Sequence, residues 1–184
     1  MSMHWEIVAL ERQHQPLFET LDLLPNTTYN LTAYESTKTR EDLHARVHNA
    51  NIIIVTTVKL DAETLSHAVT PDCRFVIVSA TGVDPVDLAA AKKRAIRVCN
   101  CPGANLEAVS EHAISLYFAS RRRTVLLDQV TRRLPSEWAQ KGSVNTYMRL
   151  PDGKPPLTCG DEVLGIVGYG GLGACRRTPQ RRKD

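Results

Sequence analysis

Between Glu6 and Cys99 the chain alternates two hydrophobic patterns. Continuous apolar or β-branched runs recur at Glu6–Leu10, Asn51–Thr56, Arg74–Ser79 and Ile96–Cys99, and Thr27–Tyr34 is rich in Thr and Tyr. Such runs predict strands, and near-continuous apolarity predicts strands buried on both faces. The segments between them carry apolar residues at helical spacing. Pro16–Leu24 predicts a helix that ends before Pro25. Thr39–His48 predicts a helix with Leu43 and Val47 inward. Asp61 predicts a cap for a helix that buries Leu65, Ala68 and Val69. Asp84-Pro85 predicts the opening of a helix running from Val86 to Arg94. Strands alternating with helices in this way imply an open parallel α/β sheet with helices on both faces.

Past position 104 the pattern changes. Asn105–Ala119 and Thr124–Leu134 predict two longer helices, Ser136-Glu-Trp-Ala one further turn, and Pro151–Pro156 a loop. Val163–Val167 is a last apolar run and predicts a strand. It leads into Gly168-Tyr169-Gly170-Gly171-Leu172-Gly173, a G-x-G-x-x-G spacing. After a strand this spacing suits a dinucleotide phosphate. The first glycine permits the tight turn, the second lets a pyrophosphate approach the backbone, and the third lets the next helix pack closely. No following helix is visible in Ala174–Asp184, which holds Pro179 and no apolar period.

Composition narrows the picture. No apolar run approaches the ~20 residues that span a bilayer, and no basic-then-apolar leader opens the chain. The expectation is a cytoplasmic protein with no membrane partner. Five cysteines (73, 99, 101, 159 and 175) form no C-x-x-C pair and suit free thiols. The formal charge of +3 misleads, because Arg176–Asp184 alone contributes +4 and leaves the body near −1. The basic balance therefore belongs to the tail, and no nucleic-acid partner is expected.

In parallel sheets of this kind ligands gather at the carboxyl ends of strands. The tips here are Thr56–Lys59, Ser79–Val83 and Asn100–Gly103. Ser79-Ala80-Thr81-Gly82-Val83 is small and rich in backbone N–H, so it suits a carboxylate without a charged side chain. The alternative is a plain tight turn between strand and helix.

Four blocks then carry a resemblance: Ala80-Thr-Gly-Val-Asp-Pro-Val-Asp87, Ile96-Arg-Val-Cys-Asn-Cys-Pro-Gly-Ala-Asn105, Ala108-Val-Ser-Glu-His-Ala113 ahead of Arg121-Arg122, and the glycine turn. In this order and spacing they resemble the D-isomer-specific 2-hydroxyacid dehydrogenases, over roughly residues 1–173. The resemblance implies an NAD(P)-dependent oxidoreductase that moves a hydride between NAD or NADP and a small 2-oxo or 2-hydroxy acid, of glyoxylate or hydroxypyruvate type. It implies a flavodoxin-like substrate domain over 1–104. Residues 105–173 become the crossing helices, first strand and glycine turn of an incomplete Rossmann domain, and 174–184 a basic tail outside the family pattern.

The resemblance also assigns positions. Val58 and Lys59 line the substrate pocket. The Ser79, Ala80, Thr81 and Gly82 amides hold the substrate carboxylate. Asn105 and Val109 meet the nicotinamide end, and Gly168, Tyr169, Gly170, Gly171, Leu172 and Gly173 form the pyrophosphate turn. The catalytic arginine, glutamate and histidine of the family match nothing here and are expected beyond position 184. The residue that selects NAD over NADP, ~20 positions after the first glycine, falls beyond it too. The expectation is a truncated chain that does not turn over alone. The family is homodimeric, so the alternative is a non-enzymatic ligand-binding or dimerisation module that pairs with a full-length relative through Val109–Tyr117 and the following helix.

Other tempting features read blandly. Adjacent Glu111 and His112 do not face each other on a helix. His44 and His48 lack a third metal ligand nearby. Cys99 and Cys101 are expected to pack as small apolar residues, and Arg121–Arg123 to form a solvated helix junction.

Overall fold

The computed structural model describes residues 3–14 and 17–174. The chain divides into two compact units, Met1–Ala104 and Asn105–Asp184.

The first unit is a five-stranded sheet. Its strands are β1 (Met3–Ala9), β2 (Thr27–Ala33), β3 (Ile52–Val55), β4 (Phe75–Val78) and β5 (Arg97–Asn100). They lie in the order β2-β1-β3-β4-β5 and every pairing is parallel. This is the flavodoxin-like order, whose strand sequence reverses direction between β1 and β3. The register sets Ile7 beside Ile52 and Ile53 beside Val76. Alternate residues of one strand therefore serve opposite faces.

Ile53, Val55, Val76 and Val78 face a large core. Helices α1 (Arg40–Val47) and α2 (Leu88–Lys93) cover it with Leu43, Val47 and Ala91. Thr39 caps α1, its hydroxyl accepting the Asp42 amide. Ile7, Ala9 and Ile54 face a smaller cluster on the other side. Within this unit both helices thus lie on one face, not on both as the pattern predicts. The second face is covered by Leu17, Phe18 and Leu21 from an irregular segment. The predicted Pro16–Leu24 helix does not form over its described part, residues 17–24. Phe18 packs edge-on against Tyr29, whose hydroxyl accepts the Leu21 amide. An extended segment can place these apolar side chains on β2 just as well, and tertiary packing overrides the local preference.

Two other helix predictions shift. Asp61 does cap, accepting the Thr64 amide and hydroxyl, but residues 62–69 form successive turns rather than a helix. Leu65 is buried and Ala68 exposed. The Arg94 guanidinium explains the turns. It donates to the carbonyls of Leu65, Thr70 and Pro71, which a continuing helix would use internally. Asp84-Pro85 does not open α2. The Leu60 amide donates to Pro85 and the Asp87 amide to Leu60, so Asp84-Pro85 forms a turn and Val86 bridges to Leu60 instead of entering a helix. Asp87 becomes the cap, accepting the Ala90 amide.

The second unit is helical. It contains α3 (Leu106–Arg121), α4 (Thr124–Arg132), α5 (Glu137–Lys141) and the single turn α6 (Gly171–Ala174). Its buried hydrophobics among the described residues are Val130 and Val144. The predicted strand Val163–Val167 is not a strand. Among the described residues no neighbouring strand supplies its backbone bonds, and Val163 and Val167 are fully exposed. The helical turn that the pattern did not predict does form, at α6.

Candidate functional site

The carboxyl ends of β1, β3, β4 and β5 lie side by side in the first unit. Glu11, just past β1, is 4% exposed. Its Oε2 accepts the amides of Thr56 (2.8 Å), Thr57 (2.7 Å) and Val58 (3.0 Å), and its Oε1 accepts the Thr57 hydroxyl. Burial alone would raise the Glu11 pKa. The Thr57 hydroxyl and the Val58, Thr57 and Thr56 amides outweigh it and hold the carboxyl below its usual value. His14 Nε2 lies 3.6 Å from Oε1. Glu11 went unnoticed in the sequence because its partners stand 45 to 47 positions away.

The next tip is Ser79–Gly82. The Ser79 amide donates to Val55, which extends the β3–β4 ladder by one bond. The Cys101 amide donates to the Ala80 carbonyl, and Asn100 Nδ2 donates to the Thr81 carbonyl at 2.7 Å. On the far side, the bridge between Leu60 and Val86 fixes the chain leaving the loop. Thr81 and Gly82 are exposed, and the Ala80 and Gly82 amides carry no hydrogen bond among the described residues. The loop is held from β3 at Ser79 and from the β5 tip at Ala80 and Thr81, and the Asp84 carboxylate stands against Gly82. Of the β3-tip residues, Val58 is half-buried against the core and Lys59 is exposed.

In the second unit Asn105 stands at the N-terminus of α3, with its carbonyl accepting the Val109 amide. Val109 lines an apolar groove with Ala113, Ile114, Tyr117, Ile166 and Leu172, and Gly168 and Gly173 border it. Gly168 has φ +90°, a conformation that favours glycine. A Cβ at Gly173 would lie 2.6 Å from the Gly168 carbonyl oxygen. A Cβ at Gly170 would meet nothing within 4 Å, and one at Gly171 would touch Leu106. Tyr169 is exposed. Gly168 and Gly173 therefore sit where the turn depends on glycine, and Gly170 is open to approach.

Two bland expectations are corrected. Cys99 and Cys101 are exposed rather than packed. Arg121 is not solvated, since its side chain is only 9% exposed. It pairs with Glu162 at 2.7 Å and donates to the Tyr117 hydroxyl, which itself donates to Glu162 at 2.6 Å. Accepting that hydrogen bond, the Glu162 carboxylate holds the Tyr117 pKa above its usual value. Arg123 also has a partner, the Tyr147 carbonyl. His44 meets the Thr64 hydroxyl and His48 the Val69 carbonyl. Among the described residues no cluster of three His, Cys, Asp or Glu side chains could hold a metal, and no helix is long and apolar enough to cross a membrane.

The five-stranded parallel α/β sheet places the first unit in the α/β class. The chain belongs to the D-isomer specific 2-hydroxyacid dehydrogenase family, whose catalytic-domain model matches residues 7–170. It is 36% identical over 148 residues to a glycerate dehydrogenase of Methylorubrum extorquens, covering 80% of this chain and 44% of that protein. It is 30% identical over 139 residues to a glyoxylate reductase of Thermococcus gammatolerans, covering 73% of this chain and 38% of that one. The chain thus spans less than half the length of these curated relatives. Among solved structures, the NAD-dependent formate dehydrogenase of Staphylococcus aureus, in complex with NAD, superposes with a TM-score of 0.63 at 21% identity, covering 92% of this chain and 51% of that one. The NADPH-dependent glyoxylate/hydroxypyruvate reductase of Sinorhizobium meliloti, in complex with NADP and malonate, gives 0.58 at 23% identity, covering 94% and 49%. Both share the fold.

Proposed function

We propose that this chain forms the substrate-binding part, and the start of the cofactor-binding part, of an NAD(P)-dependent reductase of small 2-oxo acids. The observation that carries the reading is the Ser79–Gly82 loop, held from β3 and from the β5 tip with the Ala80 and Gly82 amides unengaged among the described residues. Backbone amides in a glycine-containing loop suit a carboxylate, the one charged group common to all 2-oxo acids. Val58 and Lys59 stand on the neighbouring tip and contribute to the pocket. Residues 1–104 take the substrate role and residues 105–173 the cofactor role. The dinucleotide pyrophosphate lies against Gly168, Gly170 and Gly173, with Asn105 and Val109 toward the nicotinamide end. A nicotinamide dinucleotide supplies the hydride when bound.

The positions matched here bind and orient; the acid–base side chains implied by the resemblance match no residue among them. The 184-residue chain is therefore a binding fragment that does not turn over by itself. The test uses isotope-labelled chain titrated with glyoxylate and with hydroxypyruvate, alongside absorbance at the reduced-nicotinamide band. The expected result is amide shifts at Ala80–Gly82 without oxidation of NADH or NADPH. Absence of those shifts defeats the substrate site, and clear turnover defeats the fragment reading.

A second reading is favoured by α3 and α4. Leu116, Phe118, Val125 and Leu126 are exposed there, and α3 buries none of its residues. Pairing with a full-length relative through this surface would cover them. Co-expression followed by size exclusion at micromolar concentration tests it, and a chain that elutes alone overturns it.

A further inference from the structure

The strand order reverses between β1 and β3, and the crevice above such a reversal is where sheets of this kind receive ligands. Here that crevice is filled by the chain itself. Glu11 comes from the end of β1, and the amides of Thr56, Thr57 and Val58 come from the end of β3. Three backbone N–H groups converging on one carboxylate oxygen make an anion nest.

We propose that Glu11 is a built-in carboxylate that occupies this nest and acts as a positioning residue for the strand tips. It has two effects. It fixes the backbone of Thr56–Val58, and so the placement of Val58 and Lys59. It also closes the nest to external carboxylates, leaving the Ser79–Gly82 loop as the anion site of the sheet. The second effect rests on the substrate reading given above; the first does not.

The geometry supports the assignment over simple core filling. An apolar residue would leave all three amides without that partner. The carboxylate satisfies all three, and its second oxygen takes the Thr57 hydroxyl. The Thr56 hydroxyl is buried with no partner among the described residues, so it is not what holds the Glu11 carboxylate.

The experiment compares the full 184-residue chain with Glu11→Gln and Glu11→Ala. Hydrogen exchange at the Thr56, Thr57 and Val58 amides is read with and without sodium formate, against sodium chloride at equal ionic strength. Glu11→Ala is expected to exchange roughly tenfold or more faster at these amides, with formate restoring protection and chloride not doing so. Glu11→Gln keeps the shape and loses the charge, and is expected to fall between. Exchange unchanged in Glu11→Ala, or a formate effect equal to that of chloride, overturns the proposal. Should Glu11→Ala fail to fold, Glu11→Gln decides, and wild-type exchange there overturns it. Glyoxylate titrated into the same samples separates the two readings. In wild type it should shift Ala80–Gly82 and not Thr56–Val58, whereas in Glu11→Ala it should shift both. Glyoxylate shifting neither loop of wild type defeats the substrate site alone, and the exchange data still judge Glu11. Glyoxylate shifting Thr56–Val58 in wild type defeats the claim that Glu11 closes the nest.

Discussion

Arg94 and Thr70 are joined twice, the guanidinium donating to the Thr70 carbonyl at 2.7 Å and to its hydroxyl at 3.2 Å. The same group reaches Leu65 and Pro71, so one side chain at the end of α2 organises the turns of residues 62–71. Arg94→Ala should cost about 2–4 kcal/mol in urea unfolding, because several carbonyls lose a charged donor at once. Arg94→Lys should recover less than half, since an ammonium cannot reproduce the planar fork. A midpoint within error of wild type for Arg94→Ala would remove this organising role.

Acid should destabilise the first unit through Glu11. Its folded pKa is depressed, so its contribution is complete above the unfolded value of about 4.3 and is lost as pH falls through the lower folded value. Thermal scans should be flat with respect to this group near neutral pH and fall below that range. Glu11→Gln should flatten the acid limb while lowering the neutral plateau. His14 Nε2 lies 3.6 Å from the Glu11 carboxylate, so His14→Gln is the control for that contact. An acid limb identical in wild type and Glu11→Gln would assign the fall to other carboxylates.

The thiols should divide by place. Burial pushes the Cys73 thiol up to about 11, against the opposing pull of the Arg94 charge. Cys99, Cys101 and Cys159 are exposed. Peptide mapping after brief iodoacetamide treatment at pH 8 should find these three alkylated and Cys73 intact until denaturant is added. Comparable labelling of Cys73 in the native protein would contradict its burial.

The run Val163–Val167 should tolerate charge. Val163→Lys and Val167→Lys lie at fully exposed positions and should change unfolding free energy by less than about 0.5 kcal/mol. Leu60→Ala, at a fully buried position, should cost about 2–5 kcal/mol. A large loss from either lysine variant would mean that the run packs against something.

Strands β1, β3 and β4 were legible because the inner strands of a parallel sheet need continuous apolar runs, while the edge strands β2 and β5 showed themselves by Thr and Tyr content and by a shorter, mixed run. Helix α1 was legible from Thr39 and the Leu43–Val47 spacing. The helices expected near Leu17 and Leu65 were not realised, since Tyr29 and Arg94 act on those segments from elsewhere in the chain. For the candidate site, the Ser79–Gly82 loop could be found from its small residues and its place after a strand. The Glu11 nest could not, because a nest is made of amides and no side-chain pattern announces it. Arg121 looked like surface charge because its partner Glu162 is 41 positions away and has no periodic relation to it.

The contact between Gly173 and the Gly168 carbonyl has a consequence for sequence patterns themselves. The six-residue loop closes on its own backbone and does so even where the preceding run finds no sheet to join. A glycine signature of this kind records a bend that takes its shape with a helix beside it and without a strand partner among the described residues. Whether that bend serves a nucleotide is decided by the scaffold assembled around it.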